Sequence, residues 1–325
     1  MKSNALYYPY IDVPNEKWLL QTFLYWDKVI SIVPMEYAYQ PEKHSGFMRR
    51  LLEHELVEPV FPAQYVRHKR LEEYADSLER ALSSESRRRR LLSGGFVSDI
   101  HVEKLQGISE RLIALGAAEA SDGYWVRMPK QIANHFMAFI AREISNCEGV
   151  DADPITSKLF GPKFNVASER NRIRKDLLGF LFPLPDQQIS VEELATFKLH
   201  NGDLLQRFRH FVEKEVDTIR GAVQADGDYE GVLERALANI GDKVEEIKDA
   251  LKGSWKNITY KYVVPIVGAG GTYAFPPAAP LFALGGAVGP MLARNADIIN
   301  EPLAYSVFAQ EEVLSKRSFF SRLFK

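Results

Sequence analysis

The chain reads as an α+β protein, predominantly helical: an N-terminal βαβ-type α/β portion followed by a C-terminal helical domain with an apolar helical hairpin. Three observations carry that reading. Two short apolar runs, residues 6–11 and the "KVISIVP" ending at Pro34, flank a segment in which Trp18, Leu19, Thr22, Phe23 and Trp26 recur at helical spacing. From Ile189 onward a stripe through Leu194, Phe197, Leu204, Leu205, Phe208, Phe211, Val212 and Ile219 keeps the helical period. Residues 262–293 carry no charge in a chain that is 26% charged, and so long an uncharged run is expected in a bilayer or a deeply buried core.

Residues 6–11 read as a buried strand ended by "DVPNE". Asn15 suits the N-cap of the following helix, since its side chain can take up an orphan backbone N–H. Strand, helix and strand make a βαβ unit, for which a parallel pair with a right-handed crossover is the default. A helix near 45–55, a strand "LVEPVF" and a polar helix over 63–84 follow. The run "SSESRRRRLLSGG" then reads as an exposed joint near 84–96. After it come an amphipathic helix over 102–115 closed by Gly116, a strand-like "GYWVRMP", and a helix over 131–145. In that helix Ile132, Phe136, Phe139 and Ile140 share one face. Residues 148–165 are rich in turn and breaker residues and read as an ordered loop.

The N-terminal portion is thus 1–165 and the helical domain 166–325. Ser190 and Glu193 have the spacing of a capping box. "QADGDYEG" leads into a further helix over 229–251, and a basic tail occupies 315–325. No internal repeat or low-complexity segment interrupts the pattern.

At 325 residues the chain can bury a substantial core. A formal net charge of -2 gives no global drive toward nucleic acid or anionic lipid. The single cysteine, Cys147, excludes an internal disulfide framework and fits a reducing compartment. The N-terminus has no contiguous apolar signal region, so a cytoplasmic protein is expected, with the inner-membrane surface as the one alternative setting.

Three pieces together resemble an uncharacterised family of bacterial proteins with no assigned function. They are "LYYPYIDVPNEKWLLQTFLYWDKVISIVP", "GYWVRMPKQIANHFMAFIAREIS" followed by "ADPIT", and "ISVEELATFKLHNGDLLQRFRHFVEKEV" with the later "NEPLAYSVFAQEEVL". The resemblance covers most of the chain but rests on apolar and aromatic patterns. It implies a bacterial, intracellular, α-rich protein with an α/β start and carries no catalytic residue across. Proteins of this kind look like accessory genes, which brings in a role in cellular defence.

Motifs that suggest chemistry fail on their spacing. In "VVPIVGAGGTYAF" the glycines Gly268 and Gly270 resemble a dinucleotide turn, but Tyr273 fills the third small position and Pro276 and Pro277 break the required helix. "HELVE" from His54 lacks the second histidine of a zinc helix, because Glu58 stands there and Pro59 follows. "DGDYEG" from Asp226 resembles a calcium loop whose twelfth position is Leu237, where a bidentate Glu is needed. No cofactor and no metal is therefore expected.

Candidate contacts remain. Arg87, Arg88, Arg89 and Arg90 are the only dense cationic run and could meet phosphate or a partner protein. They lack interleaved aromatics, which argues against nucleic acid. In "SKRSFFSRLFK" Phe319, Phe320 and Phe324 alternate with basic residues, as in a short interfacial helix or one docked on the protein's own surface. If the βαβ unit hosts chemistry, the place is the carboxyl end of its strands, where Asp12 follows the first strand and Glu36 the second. Asp153 and Thr156 are explained by an Asx-type turn before proline.

Pro276, Pro277 and Pro280 divide the apolar run into pieces too short to cross a bilayer alone, which favours a buried hairpin. The reading the sequence favours is a macromolecular interaction or sensor protein with a protein partner or self-association. One alternative is a membrane-active effector inserting residues 262–293. The other is an enzyme using the edge near Asp12 and Glu36, toward which no nucleophile or phosphate loop points.

Overall fold

A computed structural model of the chain describes residues 2–156, 167–183, 190–251 and 300–314. The chain divides into two compact units, Met1–Gly161 and Pro162–Lys325. The architecture is α+β and predominantly helical, with a small parallel and a small antiparallel sheet.

The N-terminal unit begins with strand β1 (Asn4–Tyr7), helix α1 (Lys17–Tyr25) and strand β2 (Val29–Ile32). The two strands pair in parallel, Ala5 opposite Val29 and Tyr7 opposite Ser31. β1 stops at Tyr7 rather than running to residue 11, because Pro9 has no N–H to give a ladder. Asn15 does not cap α1; Glu16 precedes the helix in extended backbone without a side-chain cap bond. β2 leads to α2 (Glu36–Tyr39) and α3 (Gly46–Glu53), and Ser45 Oγ caps α3 by accepting from Met48 N at 3.2 Å.

Strand β3 (Val57–Val60) joins β2, and strand β7 (Ala152–Ile155) joins the other side of β1, giving the parallel order β3-β2-β1-β7. Both outer strands carry a proline, Pro59 and Pro154, where a missing ladder N–H is tolerated. β7 lies inside the segment that reads as a loop in sequence. It is short, and its partner β1 is far away along the chain, so no local period announces it. Lys2 ties this edge together, its Nζ donating to Ser145 Oγ at 2.9 Å and to the Ala152 carbonyl at 3.0 Å.

Between β3 and β7 lie α4 (Pro62–Tyr65), α5 (His68–Leu82), α6 (Glu85–Leu92), β4 (Phe96–His101), α7 (Val102–Leu105), α8 (Ser109–Ala114), β5 (Glu119–Ala120), β6 (Trp125–Pro129) and α9 (Lys130–Ser145). The polar helix of 63–84 is two helices, broken where the buried Val66 is extended. The expected joint near 84–96 is instead helix α6 up to Leu92: Leu91 is buried and Arg89 Nε donates to Glu85 Oε1 at 2.9 Å one turn away. The expected helix over 102–115 is interrupted at Gln106 and Gly107, with φ of 44° and 94°. That left-handed turn lets Leu105 and Ile108 both reach the core. β4, β6 and β5 form the antiparallel sheet.

One face of the parallel sheet offers Leu6, Ile32 and Val60 to Phe136, Met137, Ile140 and Ile144 of α9 and to Leu71, Ala75 and Leu78 of α5. Ala5, Tyr7 and Val29 point to the opposite face and are also fully buried. Burial on both faces explains why the strands read as unbroken apolar runs.

The helical unit contains α10 (Ala167–Leu181), α11 (Val191–His200), α12 (Gly202–Asp226), α13 (Tyr229–Leu251) and α14 (Ala304–Ala309), the last continuing as one π-helical turn, Gln310–Leu314. Ser190 Oγ accepts from Glu193 N at 3.0 Å and starts α11. α12 ends at Gly227, φ 71°, and Asp228 Oδ1 accepts from Gly231 N at 3.0 Å. The "DGDYEG" segment is therefore a helix stop followed by a cap. Phe182, Phe197 and Phe208 surround the buried Tyr305, their ring centroids 5.2–6.2 Å from its ring. Residues 262–293, the expected hairpin, and 315–325, the tail with Phe319, Phe320 and Phe324, lie outside the described residues. Among the described residues no helix is long and apolar enough to cross a membrane.

Candidate functional site at the carboxyl edge of the parallel sheet

The strand order defines the place. β1, β2 and β3 proceed in one direction and β7 returns to the other side of β1. The carboxyl end of β1 is therefore at the topological switch point, where open α/β sheets place their ligands. The loop leaving β1 carries Asp12, and the turn leaving β2 opens α2 with Glu36.

The chain then folds back over both acids. A 3-10 turn, Pro41–Lys43, follows α2. Lys43 Nζ donates to Glu36 Oε2 at 3.0 Å, and the next residue, His44, places Nδ1 2.6 Å from Asp12 Oδ1. The other carboxylate oxygen of Asp12 accepts from Ser45 N at 2.6 Å. A carboxylate can only accept, so His44 Nδ1 carries the proton in this bond and Nε2 is the nitrogen left for other work. The Tyr37 ring packs against the His44 ring with centroids 4.9 Å apart, and Lys43 lies over it at 5.9 Å. Burial, then the charges of Glu36 and Asp12, hold the Tyr37 hydroxyl above the ordinary tyrosine range. The two acids thus belong to one constellation.

A second imidazole comes from the end of β4. His101 Nε2 lies 3.3 Å from Glu36 Oε1, close enough for an ion pair but out of line for a hydrogen bond, so that buried nitrogen has no hydrogen-bond partner among the described residues. Its Nδ1 accepts from Glu103 N at 3.3 Å, and Trp125 meets the ring edge-on at 5.1 Å. Burial lowers the His101 pKa, outweighing the opposing pull of Glu36 and Glu103. Glu103 reaches back to the β2 turn, where its Oε2 accepts from Met35 N at 2.7 Å. Lys104, on α7, is only 3% exposed, and burial brings its pKa down to about 7. A lysine so placed can lose its proton near neutrality.

Asp12 and Glu36 are the pair that the strand-end rule picks out, and the fold brings them together through Lys43, His44 and Tyr37. His44, His101, Glu103 and Lys104 escape a sequence reading. The one signal for His44 is its place before the cap residue Ser45. His101 has none, since β4 pairs with a strand beyond it. Asp153 and Thr156 lie in and just after β7, outside these contacts. Arg87, Arg88, Arg89 and Arg90 are exposed on α6, which carries none of the residues of the constellation. Among the described residues no cluster of His, Cys, Asp or Glu has the geometry to hold a metal ion.

Fold and site together define a two-unit α+β protein with a polar, partly buried constellation at the carboxyl edge of a short parallel sheet. No family model, no curated protein and no solved structure matches the chain.

Proposed function

We propose that the N-terminal unit holds an acid–base site that works on a small polar molecule. The observation that supports it is the His44–Asp12 pair, 2.6 Å apart, on the loop that leaves the switch-point strand. A carboxylate that fixes an imidazole's tautomer also stabilises the imidazolium as it forms, which is what proton transfer needs. Glu36 and His101 supply a second couple beside it: burial favours neutral His101, and because its Nδ1 accepts from Glu103 N, its proton sits on Nε2, the nitrogen that faces Glu36. The Ser45 hydroxyl accepts from Met48 N as the α3 cap, and the reading rests on proton transfer by the two imidazole–carboxylate couples. The setting proposed is the cytoplasm, for which the lone Cys147 is the supporting feature.

A thermal-shift screen of the full chain against free nucleotides, sugar phosphates and small dicarboxylic acids tests this reading. A compound present at about 100 times its Kd should add about 2.7 kcal/mol of stability. The shift should vanish in Asp12→Asn and in Glu36→Gln and persist in Arg88→Ala. The idea fails if no compound moves the wild-type melting temperature, or if the shift survives both edge substitutions.

A second reading, contact with another macromolecule, draws on three tyrosines. Tyr10, Tyr39 and Tyr124 are 52%, 79% and 68% exposed. Tyr10 shares the Asp12 loop, Tyr39 ends the helix that Glu36 begins, and the Tyr124 ring lies 6.0 Å from His101. Exposed tyrosines are favoured contact residues because one end is apolar and the other polar. Partner binding lost in Tyr39→Ser and Tyr124→Ser but retained in Asp12→Asn favours this second role.

A further inference from the structure

The helical unit carries an open groove of about 690 Å³ between α10 and α13. Its floor is apolar, made by Phe180 of α10 with Leu233, Leu237 and Ala238 of α13. Phe180 is 43% exposed, a large cost for an aromatic side chain left in water. A Cβ at Gly241 would stand 3.2 Å from its Cζ, so the absent side chain there lets the ring lie close along α13. At the other end the Arg172 guanidinium sits 3.9 Å over the Tyr229 ring, and Tyr229 donates its hydroxyl proton to Asp176 Oδ2 at 2.7 Å. That cation and that carboxylate are engaged with each other's neighbour. The rim of α13 is different. Glu230, Glu234 and Asp242 line it and form no ion pair with another described residue. Glu230 and Glu234 are one turn apart, where like charges repel, and a cationic occupant relieves that repulsion.

We propose that residues 315–325 of the same chain dock in this groove, their aromatic side chains on its floor and their basic side chains against the α13 rim. The sequence "SKRSFFSRLFK" sets Phe319 and Leu323, and Phe320 and Phe324, four residues apart, with Lys316, Arg317, Arg322 and Lys325 around them. Apolar residues at that spacing share a helix face. The charges complement each other: a basic segment meets three carboxylates that form no ion pair among the described residues. The lengths match as well. Arg172 to Phe180 spans about 12 Å of α10, and any eleven-residue helix spans about 15 Å from first to last residue, both at 1.5 Å per step. The point of departure also agrees. Gln310 Nε2 donates to the Leu181 carbonyl at 2.8 Å, so the last described turn lies beside the Phe180 end of the groove. This inference concerns the helical unit and does not rest on the acid–base reading.

The test places the photo-reactive p-benzoylphenylalanine at position 320 of the full chain, irradiates it at a dilution that keeps chains apart, and maps the products by mass spectrometry. Cross-links within the chain to residues 172–180 or 229–242 are expected. Glu230→Lys with Glu234→Lys should cut their yield at least about tenfold, circular dichroism confirming that α13 is intact. Adding Lys316→Glu, Arg317→Glu and Arg322→Glu to that variant should restore them. Cross-links that fall elsewhere in the chain, on a second chain, or only on added anionic lipid vesicles overturn the proposal. A yield that ignores the charge reversal, or that the compensating reversal does not restore, overturns it too.

Discussion

Replacing Glu213 by Leu is expected to destabilise the helical unit by about 3–5 kcal/mol, the usual loss when one partner of a buried ion pair is removed. Glu213, on α12, is 7% exposed and faces two arginines one turn apart on α10. Arg174 Nε donates to its Oε1 at 2.5 Å and Arg174 Nη2 to its Oε2 at 3.1 Å, while Arg170 Nη2 donates to Oε2 at 2.6 Å. Arg174 is 9% exposed, and its Nη1 bond to Asn171 Oδ1 at 2.6 Å is to a neutral amide rather than to a second carboxylate. Arg170 has another outlet, since it also bonds Asp217 and is a third exposed at its side chain. The loss should therefore fall mainly on Arg174. Urea denaturation followed by helical circular dichroism measures it, and Glu213→Leu combined with Arg174→Met should recover a large part, because an apolar pair of similar volume replaces a buried ionic one at little cost. A single-variant loss below about 1 kcal/mol would show the pair to be solvated in practice.

Lys104→Met should do the opposite, and in a pH-dependent way. Burial depresses the folded-state pKa of Lys104 to about 7, against an ordinary value near 10.5 in the unfolded chain. Between those values the unfolded chain binds the proton that the folded chain has given up, so the stability contributed at this site rises with pH across that window. Below about pH 7 both states are charged, and the folded state bears the whole cost of a buried ammonium, on the order of 5 kcal/mol. Methionine fills similar space without charge. The variant should thus exceed the wild type most at pH 6 and converge on it as the pH approaches 10.5. Denaturant titrations of both proteins at pH 6, 8 and 10 read this directly, since other titrations cancel in the difference. A gap that stays constant across the three would mean that Lys104 keeps its proton throughout.

The same residue shows where a sequence reading stops. In sequence Lys104 is an ordinary polar position of an amphipathic helix, and only the left-handed turn at Gln106 and Gly107 rotates α7 so that Lys104 is enclosed with Leu105. Asp12 and Glu36 fare better. Their positions follow from strand ends, which two local apolar runs and a proline already mark. Their partners do not follow, because His44 and His101 reach them from a turn and from a second sheet.

Much of the architecture is local in origin and was legible without coordinates. The apolar face of residues 131–145 reappears as α9, the helix over 229–251 as α13, and the Ser190–Glu193 spacing as a made cap bond at 3.0 Å. Each depends on residues within a turn or two of one another, so its energetics are written in a short window of the chain. Tertiary structure alone decided that "ADPI", within the breaker-rich stretch 148–165, would pair with β1 from the far end of the unit. It also decided that Glu85–Leu92, inside the expected joint, would be helix, and that two histidines would converge on two acids. Those outcomes draw on burial and ladder bonds between segments that come close only when the chain has closed, and no local period records an interaction of that kind.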